Sequence, residues 1–198
     1  MHIRKANLND STNIAYLHKS GIPTGFLSTL KIELLDILYK HIIKHDVVFV
    51  ATENNEVVGF VSCSLNTKHL YKKFFISNIF NILPFVIGKI FSIKFIKNIL
   101  ETFVAPFKNK ITISDSKNEL PELLTIAVNS KTQAKGIGHL LLISLENELK
   151  NLNINKYKVI AGTNLISANK FYLKHGFELV CQIEIHKGYL SNLYLKRL

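Results

Sequence analysis

The segment LLTIAVNSKTQAKGIGHLLLISLENELK, residues 123–150, is the part of this chain that says most about its fold. It opens with Leu123–Val128, an apolar run that predicts a strand, and the periodicity of an amphipathic helix runs from Gly136 to Leu152. The loop between them contains two glycines, which let backbone approach a ligand closely. The helix start adds unpaired N–H groups and the positive end of the helix dipole. Strand, loop and helix start together predict an anion site suited to a pyrophosphate.

Two familiar phosphate-binding loops do not fit this sequence. A Walker loop needs Gly-Lys-Ser/Thr, which is absent here. A dinucleotide-binding fingerprint needs a third glycine near or before Ser144, where residues 140–142 are all leucine. The remaining pair, Gly136 and Gly138, is weak evidence by itself, since glycines also occur in ordinary turns. Its meaning therefore depends on the sequence around it.

The elements around this unit alternate between helices and strands. The sequence predicts a first helix that starts at Asn9–Ser11, a second helix over Leu30–Ile43, and a hairpin of Val47–Ala51 and Val57–Val61. Further on it predicts a strand at Tyr157–Ala161 and a helix at Ser167–His175 that Gly176 closes. Two final strands meet at Lys187-Gly188, one at Phe177–His186 and one at Asn192–Leu198. This order indicates a mixed α/β sheet in one domain that covers residues 1–198.

Residues 66–110 differ in character from the rest of the chain. They hold eight lysines and one acid, Glu101, so they carry a net charge of +7 out of +11 for the whole chain. The run from Phe74 to Gly88 has no charge, but it is shorter than the roughly 20 residues that span a bilayer. We therefore expect a basic, apolar, helical insertion that does not cross a membrane and whose apolar side chains pack on the domain, on a partner subunit or on lipid.

The composition is that of an ordinary globular protein, with 47% hydrophobic and 20% charged residues. The two cysteines, Cys63 and Cys181, lie in apolar runs without a CxxC pair or a Cys/His cluster. We expect two buried thiols, no disulfide and no metal site. The segment Met1–Ala6 is charged and no apolar stretch follows it, so no signal peptide and a cytoplasmic location are expected.

A second motif gives the glycine loop its meaning. Gln133-x-x-Gly136-x-Gly138 follows the first strand, and Asn164-x-x-x-Ala168-Asn169-x-x-Tyr172-x-x-x-Gly176-Phe177 follows later. The two motifs resemble the cofactor motifs of the GNAT acetyltransferase superfamily across residues 120–180. The resemblance implies the GNAT fold, a central, mostly antiparallel, twisted sheet that is splayed at the cofactor strand and flanked by helices, here with a helical insertion at about 66–110. It also implies acetyl-CoA as cosubstrate and no metal.

The resemblance also assigns roles to individual residues. Contacts with the pantetheine arm would come from Ile126, Ala127 and Val128, and contacts with the pyrophosphate from Gln133, Ala134, Lys135, Gly136, Ile137, Gly138 and His139, while Asn164, Ala168 and Asn169 would line the cofactor cleft. Tyr172 would contact the cofactor as the general acid that protonates the departing CoA thiolate. An ordinary core aromatic is the alternative interpretation of Tyr172.

The attacking amine must also lose a proton, which requires a base or a water relay. Glu122, just before the cofactor strand, is one candidate, because some members of the superfamily keep a carboxylate there. His186, at the end of a hairpin strand, is the other, because histidine titrates in the useful range. Both residues also have a plain interpretation as solvated surface side chains.

The acceptor is less specified than the cofactor. Residues 22–30, the insertion and residues 184–194 resemble a subgroup linked to surface-polysaccharide and nucleotide-sugar pathways. We expect N-acetylation of a small amine such as a nucleotide-linked amino sugar, because lysines attract an anionic acceptor. The alternatives are a protein N-terminus or lysine as acceptor, or a non-catalytic acyl-CoA-binding module at a membrane surface. Nucleic acid is not an expected partner because no nucleic-acid motif occurs; a homodimer is compatible with the sequence.

Overall fold

The computed structural model describes residues 1–22, 27–87, 119–132, 136–186 and 188–198. Three residues of the predicted pyrophosphate loop, Gln133, Ala134 and Lys135, lie outside the described residues, as does the insertion from residue 88 onward.

In the described part of the N-terminal half, the chain forms three helices and three strands. They are β1 (His2–Lys5), α1 (Ser11–Gly21), α2 (Ile32–His45), β2 (Val47–Glu53), β3 (Glu56–Ser64) and α3 (Thr67–Ile87). The predicted hairpin of β2 and β3 is confirmed, and its turn residues Asn54 and Asn55 have φ values of 51° and 65°. Asparagine tolerates this left-handed conformation, which two-residue hairpin turns require.

The entry into α1 differs from the expected cap. The side chain of Asn7 accepts the Asn9 N–H, and the Asp10 carboxylate accepts the Asn7 N–H in return. Asp10 also binds Arg4 through two hydrogen bonds of 2.7 and 2.8 Å, which lowers the pKa of the carboxyl group although burial opposes this. Arg4 lies on β1, a strand that the sequence did not predict, so the cap ties the first strand to the first helix.

From residue 119 onward, the described residues form two helices and four strands. They are β4 (Glu122–Val128), α4 (Ile137–Asn151), β5 (Lys156–Gly162), α5 (Ile166–Lys174), β6 (Glu178–His186) and β7 (Tyr189–Arg197). Gly176 closes α5 with φ 79°, and Gly188, with φ 85°, lies in the turn between β6 and β7. Both positions are in the left-handed region that glycine occupies without strain, as the sequence predicts.

The seven strands form one sheet in the order β1-β2-β3-β4-β5-β7-β6. Five of its pairings are antiparallel, and β4 with β5 is the parallel pair among the described strands. That pairing is short, since it joins Glu122 to Lys158 and Leu123 to Val159 and then ends. The expected mixed α/β fold, with a mostly antiparallel sheet that opens at β4, is therefore confirmed.

Each face of the sheet has its own core. Helices α1, α2 and α3 bury their apolar side chains against one face, and α4 and α5 against the other. Gly59 on β3 lets α4 come close, because a Cβ atom there would lie 3.2 Å from both the Ala127 carbonyl oxygen and the Leu141 side chain. Such a distance is tighter than ordinary carbon contacts allow, so the helix rests directly on the backbone of β3 and β4.

Two expectations about burial meet different outcomes. Cys63 is fully buried, but the expected burial of Cys181 is wrong, because Cys181 lies on β6 at the edge of the sheet and is exposed. In α3, Phe74 and Ile82 are buried, whereas Phe80 is 85% exposed, so the apolar side chains of this helix pack only in part. Among the described residues, no helix combines the length and apolar character needed to cross a bilayer.

Candidate functional site

The gap between β4 and β5 is the central feature of the site. Lys158 donates its N–H to the Pro121 carbonyl oxygen at 2.9 Å, and the pairing of the two strands ends one residue pair later, at Leu123 and Val159. On its other edge β4 stays paired with β3 as far as Val128. Residues 124–127 therefore have no ladder partner on the described part of β5.

A β-bulge decides which backbone groups face this gap. The register shifts between Ser62 and Cys63, where Thr125 and Leu123 are the partners, so Leu124 is the extra residue. Beyond the bulge, Asn129 donates its N–H to Val58 on β3 at 2.8 Å. Because successive residues of a strand point to opposite edges, the N–H and C=O groups of residues 126 and 128 face the gap. These are two of the predicted pantetheine contacts.

Ala127, the third predicted contact on β4, faces the other way. Its carbonyl oxygen points toward Gly59 of β3, and its side chain is buried near Gly21 of α1, where a Cβ atom would lie 3.2 Å away. The structure therefore does not bring the polar groups of Ala127 into the gap.

The start of α4 lies at the end of the loop that follows β4. Gly136 is its N-cap residue, with φ 75°, and no side chain caps the helix. The first intrahelical bond runs from Leu140 N–H to the Gly136 carbonyl oxygen, so the N–H groups of residues 137–139 precede the ladder. Open space surrounds the position where a Gly136 Cβ would stand. An uncapped helix start next to the gap is suited to an anion.

Gly138 and His139 lie in the first turn of α4 and face α5. A Cβ atom on Gly138 would approach the Phe171 ring at 3.3 Å, so this glycine allows α4 and α5 to meet. The His139 ring lies 5.0 Å from the ring of His175, which in turn packs on Phe171 at 4.1 Å between ring centroids. His175 donates its Nδ1 proton to the Phe171 carbonyl oxygen at 2.7 Å, which leaves Nε2 as its free acceptor.

Tyr172 lies on α5 within the same core as the gap-facing strand. Ile126, Val128 and Ala168 pack against the core cluster that contains Tyr172, and the Tyr172 ring contacts Phe177 at 5.3 Å. Burial raises the pKa of the Tyr172 hydroxyl well above its ordinary value, and the nearby Tyr194 adds to this. Tyr172 is 5% exposed, so it is a buried, protonated donor at neutral pH.

The side chain of Asn169 makes four hydrogen bonds inside the protein. Its amide nitrogen donates to the carbonyl oxygens of Gly162 and Leu165 at 2.9 and 2.8 Å, and its Oδ1 accepts from Asn192 and Tyr194 at 2.8 and 2.7 Å. These bonds hold the start of α5 against the ends of β5 and β7. The contacts give Asn169 a positioning role, whereas the side chain of Asn164, also predicted to line the cleft, is exposed.

Glu122 closes the narrow end of the gap. Its Oε2 lies 3.1 Å from Lys158 Nζ and accepts a long hydrogen bond of 3.4 Å from Thr67 Oγ1. Both charged side chains are mostly buried, at 15% and 17% exposure. The carboxylate thereby joins the first residues of α3 and β4 to β5, and these contacts are structural.

The structure does not bring the two candidate bases together. Backbone pairing places His186 opposite Tyr189 at the tip of the β6–β7 hairpin, beyond the end of β5. Glu122 pairs with Lys158 near the start of β5. The two positions are about seven residues apart along the strands, which corresponds to roughly 20 Å. At most one of them can act at a given reacting atom.

Sequence reasoning missed three contributors to this site. Lys158 and Thr67 contact the Glu122 carboxylate, and the Phe171 ring packs against Gly138. The first two depend on the register of a parallel pair and on where α3 begins, for which the sequence offers no local signal. Phe171 stands next to Tyr172 in the second motif, and its spacing from the glycine loop was a signal that could have been used.

Comparison with known proteins agrees with this geometry. Residues 108–191 match the acetyltransferase (GNAT) domain family. No curated protein is similar enough in sequence to count as a match. An N-acetyltransferase from Staphylococcus aureus Mu50 is 20% identical with a TM-score of 0.64, and the alignment covers 99% of this chain and 100% of that one.

Two further solved structures share the fold. The PaiA N-acetyltransferase of Thermoplasma acidophilum, in complex with coenzyme A, is 13% identical with a TM-score of 0.60, over 100% of this chain and 98% of that one. A ribosomal-protein-alanine N-acetyltransferase from Brucella melitensis is 15% identical with a TM-score of 0.61, over the full length of both chains. At these identities the likeness shows the fold, while the domain match covers both cofactor motifs. Residues 108–191 thus resemble a GNAT acetyltransferase domain, and the whole chain has the fold of these solved N-acetyltransferases.

Proposed function

We propose that this enzyme transfers the acetyl group of acetyl-CoA directly to a primary amine of a small acceptor. The observation that carries the proposal is the gap between β4 and β5, which ends beside an uncapped helix start. An extended chain with amide groups can pair with the open edge of β4, and a pyrophosphate suits the N–H groups of α4. Pantetheine joined to a pyrophosphate has this composition and order.

The residues around the gap would divide the work. The backbone groups of residues 126 and 128 would hold the pantetheine, and the amides of residues 136–139 the pyrophosphate. Residues 133–135 of the loop, which include Lys135, would complete the contact. Asn169 would act indirectly, because its four hydrogen bonds fix the helix that carries Tyr172. Ala168 and Asn164 would border the cleft.

Acetyl-CoA supplies an activated acyl group, and residues of this chain would transfer protons and stabilise the negative charge that develops on it. The amine nitrogen forms a bond to the acetyl carbon, the carbon–sulfur bond breaks, and the sulfur gains a proton while the nitrogen loses one. Tyr172 would give the proton to sulfur, because burial keeps its hydroxyl protonated at neutral pH. Backbone N–H groups near Val128 would stabilise the negative charge on the acetyl oxygen.

We propose a nucleotide-linked amino sugar as the acceptor class. Residues 66–110 carry a net +7, and this charge would attract an anionic acceptor to the enzyme. Lys72 and Lys73 lie on the described part of this segment, in α3. Replacing both with glutamine should raise KM for an anionic amino sugar and leave KM for acetyl-CoA unchanged. An equal KM for the anionic sugar in variant and wild type would remove this support.

The experiment that tests the function has two steps. Calorimetry with acetyl-CoA should show binding at one site, and desulfo-CoA should compete for it. Release of the CoA thiol is then followed with a panel of amines that contains free and nucleotide-linked amino sugars and a peptide N-terminus. Acetylation of the peptide alone would select the alternative acceptor. Binding without thiol release for any amine would favour a non-catalytic module, and no binding at millimolar acetyl-CoA would refute the proposal.

A further inference from the structure

A row of buried polar side chains crosses the core between the sheet and helices α1 and α2. Its members, here called the hydroxyl row, are His18 on α1, Tyr39 on α2, Thr125 on β4 and Ser62 on β3. All four are at most 7% exposed. Their neighbours in this core are hydrocarbon side chains such as those of Ile14 and Leu35. Buried polar groups in such surroundings are costly unless each finds a partner.

Three members of the hydroxyl row contact one another. His18 Nδ1 and the Tyr39 hydroxyl are 2.6 Å apart, and Thr125 forms a further side-chain interaction with the same hydroxyl. Burial lowers the pKa of His18 to about 4, so its ring is neutral at physiological pH. A neutral ring can accept the Tyr39 proton at Nδ1 while it carries its own proton at Nε2. Among the described residues, the titratable groups that interact with Tyr39 are His18 and, on α3, Tyr71.

The fourth member has no partner. Ser62 is fully buried, and its hydroxyl forms no hydrogen bond with any described residue. Ser62 and Thr125 are register partners on adjacent strands, so their side chains lie side by side on the same face of the sheet. Unpaired hydroxyls in native cores are usually satisfied by an ordered water, which needs two or more polar partners. The side chains of Ser62 and Thr125 supply two.

The hydroxyl row reaches β4 at the bulge. Thr125 directly follows the extra residue Leu124 and precedes Ile126, whose backbone groups face the gap between β4 and β5. The row therefore begins within one residue of the strand edge along which the thioester would lie. It runs from there through Tyr39 to His18 on α1, away from Tyr172 on the opposite face.

We infer that the hydroxyl row, with one bound water between Ser62 and Thr125, carries away the proton that the acceptor amine loses. The inference rests on the proposed function. The amine nitrogen gives its proton to the water or to Thr125 Oγ, and each hydroxyl accepts one proton and passes on another. His18 accepts a proton at Nδ1 and releases one from Nε2 to bulk water. No member ends with a changed charge, and the thiolate receives its proton separately from Tyr172. Tyr39 and His18 are thus relay residues that do not touch the substrate.

A crystal structure of the protein tests the water directly and needs no acceptor. An ordered water within hydrogen-bond distance of both Ser62 Oγ and Thr125 Oγ1 is expected. A dry core at this position in a well-ordered crystal overturns the inference. It would leave the proposed function untouched, because acetyl-CoA binding is measured separately.

Kinetics tests the proton transfer. Release of CoA from acetyl-CoA is followed with glucosamine as the amine probe and, separately, with water as the only acceptor. Thr125→Val and Tyr39→Phe should lower kcat about 10²-fold near neutral pH and leave KM for acetyl-CoA unchanged. The deficit should shrink as the pH rises, because hydroxide replaces the relay. Thr125→Ser, which keeps the hydroxyl, should recover most of the loss.

Tyr157→Phe is the matched control. It also removes a buried tyrosine hydroxyl, one that donates to Glu146 at 2.8 Å in the core on the opposite face. It should leave kcat and its pH dependence unchanged. If Tyr39→Phe lowers kcat by the same factor at every pH, or behaves like Tyr157→Phe, the hydroxyl row is only a structural tie and the inference fails.

Discussion

Acid should weaken this protein through His18. The ring is 4% exposed, and burial lowers its pKa from 6.5 to about 4 in the folded protein. Between these two values the unfolded chain binds a proton at His18 and the folded chain does not. The free energy of unfolding therefore falls as the pH falls through this window, and the contribution is fully present above about pH 6.5.

The magnitude follows from the shift. A difference of about 2.5 pKa units corresponds to about 3 kcal/mol in full, and to about 1.4 kcal/mol between about pH 7.5 and about pH 5.5. His18→Gln removes the titrating group and keeps a side chain that can bond to Tyr39. The variant should therefore lose about 1.4 kcal/mol less than the wild type over that interval. His41, whose pKa is also lowered to about 4, is present in both proteins and cancels in the comparison.

Urea unfolding at several pH values measures the difference, with His2→Gln at an exposed position as the control. The control should show the same loss as the wild type. Equal losses in wild type and His18→Gln would mean that His18 is solvated or protonated in the folded protein. The neutral state of the ring assigned to the hydroxyl row would then be wrong.

Three further outcomes concern the cofactor gap. Gly136→Ala and Gly176→Ala place a Cβ in open space at φ near 75°, so both should cost about 1–2 kcal/mol of unfolding free energy. Only Gly136→Ala should weaken acetyl-CoA binding in calorimetry. Equal affinities of the two variants for acetyl-CoA would mean that the pyrophosphate does not bind at α4. Tyr172→Phe should lower kcat by about 10²–10⁴-fold with unchanged cofactor affinity, and an unchanged kcat with chemistry rate-limiting would assign the thiolate proton to another donor. Glu122→Gln should lower the free energy of unfolding by about 1–2 kcal/mol, because it weakens the contacts with Lys158 and Thr67. It should change kcat less than tenfold. A kcat that falls about 10²-fold in a stable variant would identify Glu122 as the base.

The local motifs were predictable because each depends on a few neighbouring residues. The glycine loop, the start of α4, the two-asparagine turn and the glycine that ends α5 all have a short-range physical cause in backbone conformation. The splay at β4 came from the family resemblance, whereas its cause, the bulge at Leu124, depends on register with β3. No pattern within residues 122–128 indicates that one residue is extra.

Side chains with contacts distant in the sequence were harder to predict for the same reason. Asn169 belongs to a motif that predicted a cleft position, but its partners Asn192 and Tyr194 lie more than 20 residues away, and their hydrogen bonds turn its amide inward. The His18–Tyr39 contact joins two helices whose packing angle the sequence does not encode locally. Burial of Cys63 and exposure of Cys181 follow from strand order, which places β6 at the edge.

Gly59 sets the height of the start of α4 above the sheet. Because α4 rests on bare backbone at this point, any side chain at position 59 would push the helix away from the sheet. Even one added methyl group would lift or tilt the first turn of α4 relative to the β4 edge, and the two halves of one ligand would then no longer align. If α4 binds the pyrophosphate as proposed, its affinity should therefore depend on a residue 77 positions before Gly136 in the sequence.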